Sequence, residues 1–450
     1  MEIKRFYDSA LAHASYAIVS DGKMALVDPS RDPRPYYDFA DEKGAKIVAV
    51  LETHPHADFV SSHLQIHKDT GAGIRINELT GVSYPHVPFN DGDTTSLGSV
   101  TIKALHTPGH SPDSNSYLLL DEQGEQAALF TGDFLFIGDV GRPDLREHAG
   151  NIQEAREDLA RKMYQSIKNV LPIVADTVNI YPAHGAGTLC GKNLSDKPSD
   201  TLGNQRKTNW ALQPMPEEEF VKTLLADQPF IPKYFTYDVE MNRKGADALE
   251  ETVARVPKIS RAEEVQPGVL IVDTRDEPEF KKGHLPHSIN IQCGPSDKFE
   301  TWLGSIVDPG EEFYVVAATE EKKNEAVRRA AKIGYESRIK AALVSDAYGS
   351  SGIKALDIDT FAANKDNYYV VDVRQLNEHE DDKVFAGSLH IPLAELRERA
   401  GEIQTSKPVV IHCAGGYRSA VGASVLSAMR PDLTVYDLGV AVHGFKGSQA

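Results

Sequence analysis

The sequence predicts a multidomain α/β protein, with two successive α/β domains carrying parallel sheets in its C-terminal half. Three observations lead there. The chain has 450 residues, more than one core usually organises, so two to four domains are expected. Short apolar strands recur through the first half, each running into polar residues. A weak internal repeat in the second half alternates strands with helices, the pattern of parallel sheets.

Composition narrows the function classes. Hydrophobic content of 41% and charged content of 25% are ordinary for a globular protein. A formal net charge of −18 argues against nucleic acid and anionic membranes as partners. No apolar run approaches membrane-spanning length, and Met1 to Phe6 leads into polar residues rather than a signal-peptide core. A cytoplasmic location is expected. The three cysteines, Cys190, Cys293 and Cys413, are odd in number and widely spaced. That spacing suits thiols rather than a disulfide framework.

The first domain is expected over residues 1–240. Tyr16 to Val19 and Met24 to Val27 read as a hairpin joined by Asp21-Gly22. Val48 to Leu51 reads as an apolar, buried strand that ends in Glu52-Thr53-His54-Pro55-His56-Ala57-Asp58-Phe59. Three similar settings follow: His110 in Thr107-Pro108-Gly109-His110-Ser111, Asp133 in Thr131-Gly132-Asp133, and His184 in Tyr181-Pro182-Ala183-His184. One sheet edge is expected to gather all of them. A single histidine at a strand end is ordinarily a cap. Four polar sites of compatible type after successive strands point to a metal instead. Two imidazoles and one carboxylate suit a divalent transition metal and leave open positions for substrate and O2. Zinc hydrolases use similar sets, so ligand type alone does not choose the metal.

Arg142 is a candidate anchor for a substrate carboxylate, because its planar fork pairs bidentately. A structural salt bridge with Asp139 or Asp144 competes with that reading. Cys190 either lines a thiol-substrate pocket or is a buried, inert cysteine. Residues 151–170 have helical spacing, and Lys192 to Thr208 reads as a surface excursion. Prolines at 214, 216, 229 and 232 mark the way out of the domain.

The repeat occupies 241–353 and 354–450. Val272-Asp273-Thr274-Arg275 matches Val371-Asp372-Val373-Arg374, and Glu279 and Glu378 keep the same offset. Apolar Tyr314 to Ala318 matches Pro408 to His412. After the second of these come Cys413-Ala414-Gly415-Gly416-Tyr417-Arg418-Ser419 and an Ala-rich helix; Thr319 stands opposite Cys413 in the first. Gly415 and Gly416 permit a tight turn with N–H groups pointing inward. Together with the helix after Ser419 and the Arg418 charge, this loop is expected to stabilise a Cys413 thiolate or persulfide. Cys293 does not align with the loop.

On the motifs containing His54, His110, Asp133, Gly138-Asp139-Val140-Gly141-Arg142-Pro143-Asp144 and His184, about half the chain resembles the metallo-β-lactamase superfamily, and within it the persulfide dioxygenases. The Cys413-to-Arg418 loop resembles the rhodanese active site. The resemblance implies an αββα sandwich followed by two rhodanese domains, the first inactive. It implies one Fe(II) per chain on His54, His110 and Asp133, with His56, Asp58 and His184 at polar positions around them. It also implies a homo-oligomer that converts a thiol persulfide and O2 to thiol and sulfite. Cys413 and Arg418, cradled by Ala414, Gly415, Gly416, Tyr417 and Ser419, would then transfer sulfur to make thiosulfate.

Two departures bear on this. Binuclear hydrolases carry His-x-His-x-Asp-His, and Phe59 replaces the last His with a ring that cannot ligate metal. Gly185-Ala186-Gly187 follows His184 where glutathione-specific members have a Tyr, which points away from glutathione persulfide. The competing readings are a binuclear zinc thioester hydrolase of the glyoxalase II type and a sulfur-relay or scaffold protein.

Overall fold

The computed structural model describes residues 1–146, 154–344 and 351–446. Two compact units divide it. One spans Met1–Thr252 with Ala331–Gly334, and the other spans Val253–Ala330 with Tyr335–Ala450.

Two six-stranded sheets build the first unit. The first sheet takes its strands in chain order, from Glu2–Asp8 to Val87–Pro88. His13–Ser20 and Lys23–Val27 form the expected hairpin. Asp21 and Gly22 between them both have positive φ, 49° and 70°. Such a two-residue turn matches the twist of the flanking strands. In the second sheet the order runs from Asp200–Thr201 through Asn179–Pro182, Gln126–Gly132, Asn115–Leu120 and Val100–His106 to Thr94–Leu97.

Alternation along the strands sorts side chains between layers. Ala25, Val27 and Leu51 of the first sheet meet Ile102, Leu119 and Phe130 of the second in the central core. Met24, Leu26 and Val50 point the other way, onto Tyr36, Phe39 and Ile66 of the helices Arg34–Lys43 and His63–Thr70. Helices Arg156–Val170 and Glu217–Leu225 cover the second sheet through Met163, Ile167, Phe220 and Leu224. The result is the expected αββα sandwich.

Three details differ from expectation. The helix foreseen over 151–170 is Arg156–Val170, with 151–153 outside the described residues. Lys192 to Thr208 is not all surface, because it ends in the helix Leu202–Thr208, whose Leu202 and Gln205 are buried. The first unit also continues past residue 240. Asn242, in the helix Tyr234–Lys244, donates to the carbonyls of His56 and Phe59 at 2.9 and 2.7 Å. That helix is therefore tied to the segment that carries the first polar cluster.

The second unit holds two four-stranded, all-parallel sheets. Their orders are Ser288–Asn290, Leu270–Asp273, Phe313–Ala317, Ile339–Val344 and Leu389–His390, Tyr369–Asp372, Val409–His412, Val435–Asp437. The repeat read from the sequence thus has two equivalent sheets. Each Asp-x-Arg pair closes on itself: Arg275 grips Asp273, and Arg374 grips Asp372, at 2.6–3.1 Å. The same arginines donate to the carbonyls of Gly283 and Asp382, pinning the helix after each strand.

Candidate functional site

Strand direction decides which residues meet. Lys46–Leu51 runs parallel to Lys23–Val27, so Asp28 and Thr53 leave the first sheet at one end. Asn179–Pro182 runs parallel to Gln126–Gly132, so Asp133 and His184 leave the second sheet together. The expectation of a single sheet edge is corrected here. His54 comes from the first sheet and His110, Asp133 and His184 from the second, because a sandwich presents the ends of both sheets on one side.

The side chains of His54, His110 and Asp133 converge, each offering a ligand atom within 4.8 Å of the others, and all are buried. Their orientation is set from behind. Asp28 accepts from Thr53 N–H at 2.7 Å and from Thr53 Oγ1 at 2.9 Å, and Thr53 Oγ1 lies 3.0 Å from His54 Nδ1. His110 Nδ1 is 2.8 Å from the Arg142 carbonyl, and its Nε2 faces Asp133 Oδ2 at 3.6 Å. Holding Nδ1 in this way directs Nε2 inward, the usual support for a ligating histidine.

A second cluster adjoins the first. Asp58, His184 and Cys190 lie within the same 4.8 Å limit. His184 Nε2 is 3.4 Å from Asp58 Oδ2 and 3.5 Å from Asp133 Oδ1. Burial pushes the Cys190 thiol well up, and the nearby Asp58 and Asp133 charges add to this. Cys190 is 1% exposed. Behind His54 is a third group, in which His56 Nε2 lies 3.1 Å from Asp28 and 3.7 Å from Glu52. Burial alone would lower the His56 imidazole, but Asp28 and then Glu52 outweigh it and raise it to about 9. Phe59 is buried, its ring 3.8 Å from that of His13 and 4.4 Å from that of His56.

The residues fit a metal. Both Asp133 oxygens and His184 Nε2 are buried without a hydrogen-bond partner. Each such orphan costs about 1–3 kcal/mol unless something satisfies it. A cation ligated by His54, His110 and Asp133 would satisfy the Asp133 carboxylate, and that donor set suits a divalent transition metal.

Arg142 is corrected as a substrate anchor. Its Nε and Nη2 both donate to Asp144 at 2.7 Å, and Nη1 donates to the Leu189 and Phe230 carbonyls. At 1% exposure the fork is occupied and closed off. The motif serves the site through its backbone instead: the Arg142 carbonyl holds His110, and Gly141 lets the chain pass beneath Asp133. A Cβ on Gly141 would lie 2.0 Å from the Asp133 carbonyl oxygen and 3.1 Å from His110 Cβ. Gly141→Ala is therefore expected to cost about 3 kcal/mol of stability and to weaken metal retention. A melting temperature and metal content equal to wild type would contradict this.

Asp28, Glu52 and His13 were not singled out from the sequence. Val27-Asp28 shows the same strand-then-carboxylate pattern as the others and was legible. Glu52, directly after Leu51, shows that pattern too, whereas His13 carries no such signal, since only tertiary packing brings it to the site.

In the second unit, Cys413 follows the strand Val409–His412 and is buried. Gly416, at φ 112°, turns the chain so that its N–H points at Cys413 Sγ, 3.1 Å away. The helix begins at Tyr417, earlier than expected, which makes Arg418 and Ser419 part of its first turn. Ser419 Oγ donates to the Gly416 carbonyl at 2.9 Å. Arg418 is not a free charge, because Glu378 takes both of its terminal nitrogens at 2.5 and 2.7 Å. Opposite, Thr319 Oγ1 accepts from Lys322 N–H at 3.2 Å, a helix cap in place of a nucleophile. Cys293 lies in the first module, buried, its thiol pushed up to about 12 chiefly by burial.

Comparison with known proteins agrees with this division. The family model for the metallo-β-lactamase superfamily matches residues 9–172, and that for the rhodanese-like domain matches 254–342 and 358–442. A solved metallo-β-lactamase from Staphylococcus aureus subsp. aureus COL is 31% identical, with a TM-score of 0.68. The match covers 77% of this chain and 99% of that one. A cytoplasmic hydroxyacylglutathione hydrolase of Arabidopsis thaliana is 31% identical over 236 residues, 51% of this chain and 81% of that protein. A probable metallo-hydrolase of Burkholderia pseudomallei is 29% identical over 41% of this chain and 72% of its own length.

Proposed function

Because the chain belongs to the metallo-β-lactamase superfamily and carries rhodanese-like domains C-terminal to that domain in sequence, we propose that it is an iron-dependent persulfide dioxygenase coupled to a sulfurtransferase. One thiol persulfide, one O2 and one water give one thiol, one sulfite and two protons. Cys413 takes the outer sulfur of a second persulfide, releasing thiol, and passes it to sulfite as thiosulfate. The protein would act in the cytoplasm as a homo-oligomer; among the described residues no helix is long and apolar enough to cross a membrane.

The observation that carries the reading is the pairing, in one chain, of the His54–His110–Asp133 triad with a cysteine cradled for sulfur exchange. His54, His110 and Asp133 would hold Fe(II), which would supply electron transfer to O2. The chain's own residues do the rest. Thr53 and the Arg142 carbonyl fix the imidazoles, while Phe59 and His13 fill the space beside His56 with rings in tilted contact. At Cys413 the Gly416 N–H and the helix N-terminus favour charge on sulfur during thiolate exchange.

The Asp58–His184–Cys190 cluster favours a second reading, a binuclear zinc thioester hydrolase. Phe59, where a further ligand would stand, weighs against it. Metal analysis of anaerobically purified protein, with O2 uptake on adding a thiol persulfide, separates the two. Near-stoichiometric iron and persulfide-dependent O2 uptake are expected. Two zinc ions with thioester cleavage and no O2 uptake would overturn the proposal.

A further inference from the structure

Glu279 and Glu378 stand at the same offset from the strand-end carboxylates Asp273 and Asp372, yet their surroundings differ. Glu279 is exposed, and among the described residues no cation pairs with it. The residue opposite Arg418 in the first module is Asn324, which cannot form such a pair. Glu378, in the module that keeps the cysteine, grips Arg418 by both terminal nitrogens. The Glu–Arg pair is present only where Cys413 is present.

The pair is built to be exchangeable. The Arg418 and Glu378 side chains are 19% and 32% exposed, against 4% and 1% for the Arg374–Asp372 pair of the same module. An ion pair open to water is weak because solvent screens it and competes for both partners. A buried pair cannot be opened so cheaply, since a charge would be left unsolvated. Glu378 also accepts the Gln375 N–H at 3.0 Å, in a capping box that holds it beside the loop.

We infer that Glu378 is an internal competitor for Arg418, its carboxylate filling the guanidinium fork that an oxyanion such as sulfite or thiosulfate must engage beside Cys413. A planar fork that takes a carboxylate edge-on takes two oxygens of a sulfur oxyanion in the same way. Glu378 thereby sets the affinity of the site for anions, and an incoming oxyanion displaces it. The inference rests on the reading that Cys413 exchanges sulfur with an oxyanion.

Glu378→Gln tests it, because glutamine still caps the helix but carries no charge. With thiosulfate as sulfur donor, KM for thiosulfate is expected to fall about three- to tenfold while kcat changes less than about twofold. Glu378→Asp, which restores the charge, should return KM to the wild-type value or above it. Calorimetric titration of sulfite into Cys413→Ser, with and without Glu378→Gln, gives a readout independent of turnover and should show a matching gain in affinity. An unchanged or raised KM and Kd in Glu378→Gln, with melting temperature retained, would mean that Glu378 only holds Arg418 in place and would overturn the inference. If the wild type transfers no sulfur from thiosulfate, the sulfurtransferase reading falls. The sulfite titration then still decides whether Glu378 competes with anions.

Discussion

Cys413→Ser is expected to change the product of persulfide oxidation from thiosulfate to sulfite. In the proposed function the substitution removes the sulfur that would accept and release sulfane sulfur, but it alters nothing in the first unit's His54–His110–Asp133 triad. O2 uptake with a thiol persulfide should therefore continue. Sulfite should accumulate, and thiosulfate should fall about tenfold or more, the scale expected when a nucleophile is lost. Thr319→Ala should leave both products unchanged, because Thr319 caps a helix and does not face a cradle like that of Cys413. Thiol labelling with chromatography of the products measures all of this. Enzymatic thiosulfate at wild-type yield from Cys413→Ser would defeat the coupling. Equal loss of transfer in Thr319→Ala would mean that the first module is active after all.

His110→Ala is expected to abolish both iron retention and O2 uptake. His110 offers one of three convergent ligand atoms, and its removal leaves Asp133, already without a hydrogen-bond partner, with less to offset its burial. Loss of a supporting residue alone commonly lowers metal affinity about 10- to 100-fold, and loss of a ligand should cost more. Iron should drop from close to one per chain to about a tenth or less. Persulfide alone should then give neither product, yet thiosulfate should reappear when sulfite is supplied, since Cys413 is intact. An iron content that survives the substitution would remove His110 from the ligand set.

Much of the site was readable because of where its residues stand. His54, His110, Asp133 and His184 each follow an apolar strand closely, and strand ends hold side chains in place. Their division between two sheets was not readable, since strand pairing across a sandwich leaves no trace in one strand's own sequence. Arg142 shows a different limit. Its partner Asp144 was among the candidates, but the carbonyls of Leu189 and Phe230 are distant in sequence, so only the fold reveals that the fork is full. The tilted contact of His13 with Phe59 is likewise a product of packing. The repeat was legible because both modules use the same Asp-x-Arg clasp, whereas Arg418 reads as a free charge until Glu378 is seen beside it.

The origin of the ligands in separate sheets has a thermodynamic side. His54 is delivered by the first sheet, and His110 and Asp133 by the second, across a core that includes Leu51, Ile102 and Phe130. A cation held by all three is a cross-link between the two halves of the sandwich. Its binding free energy is then also docking free energy for the sheets. Any substitution that loosens the packing between Leu51 and Phe130, however far from the ligands, is paid for in metal affinity, and metal scarcity is felt in turn as a softer sandwich.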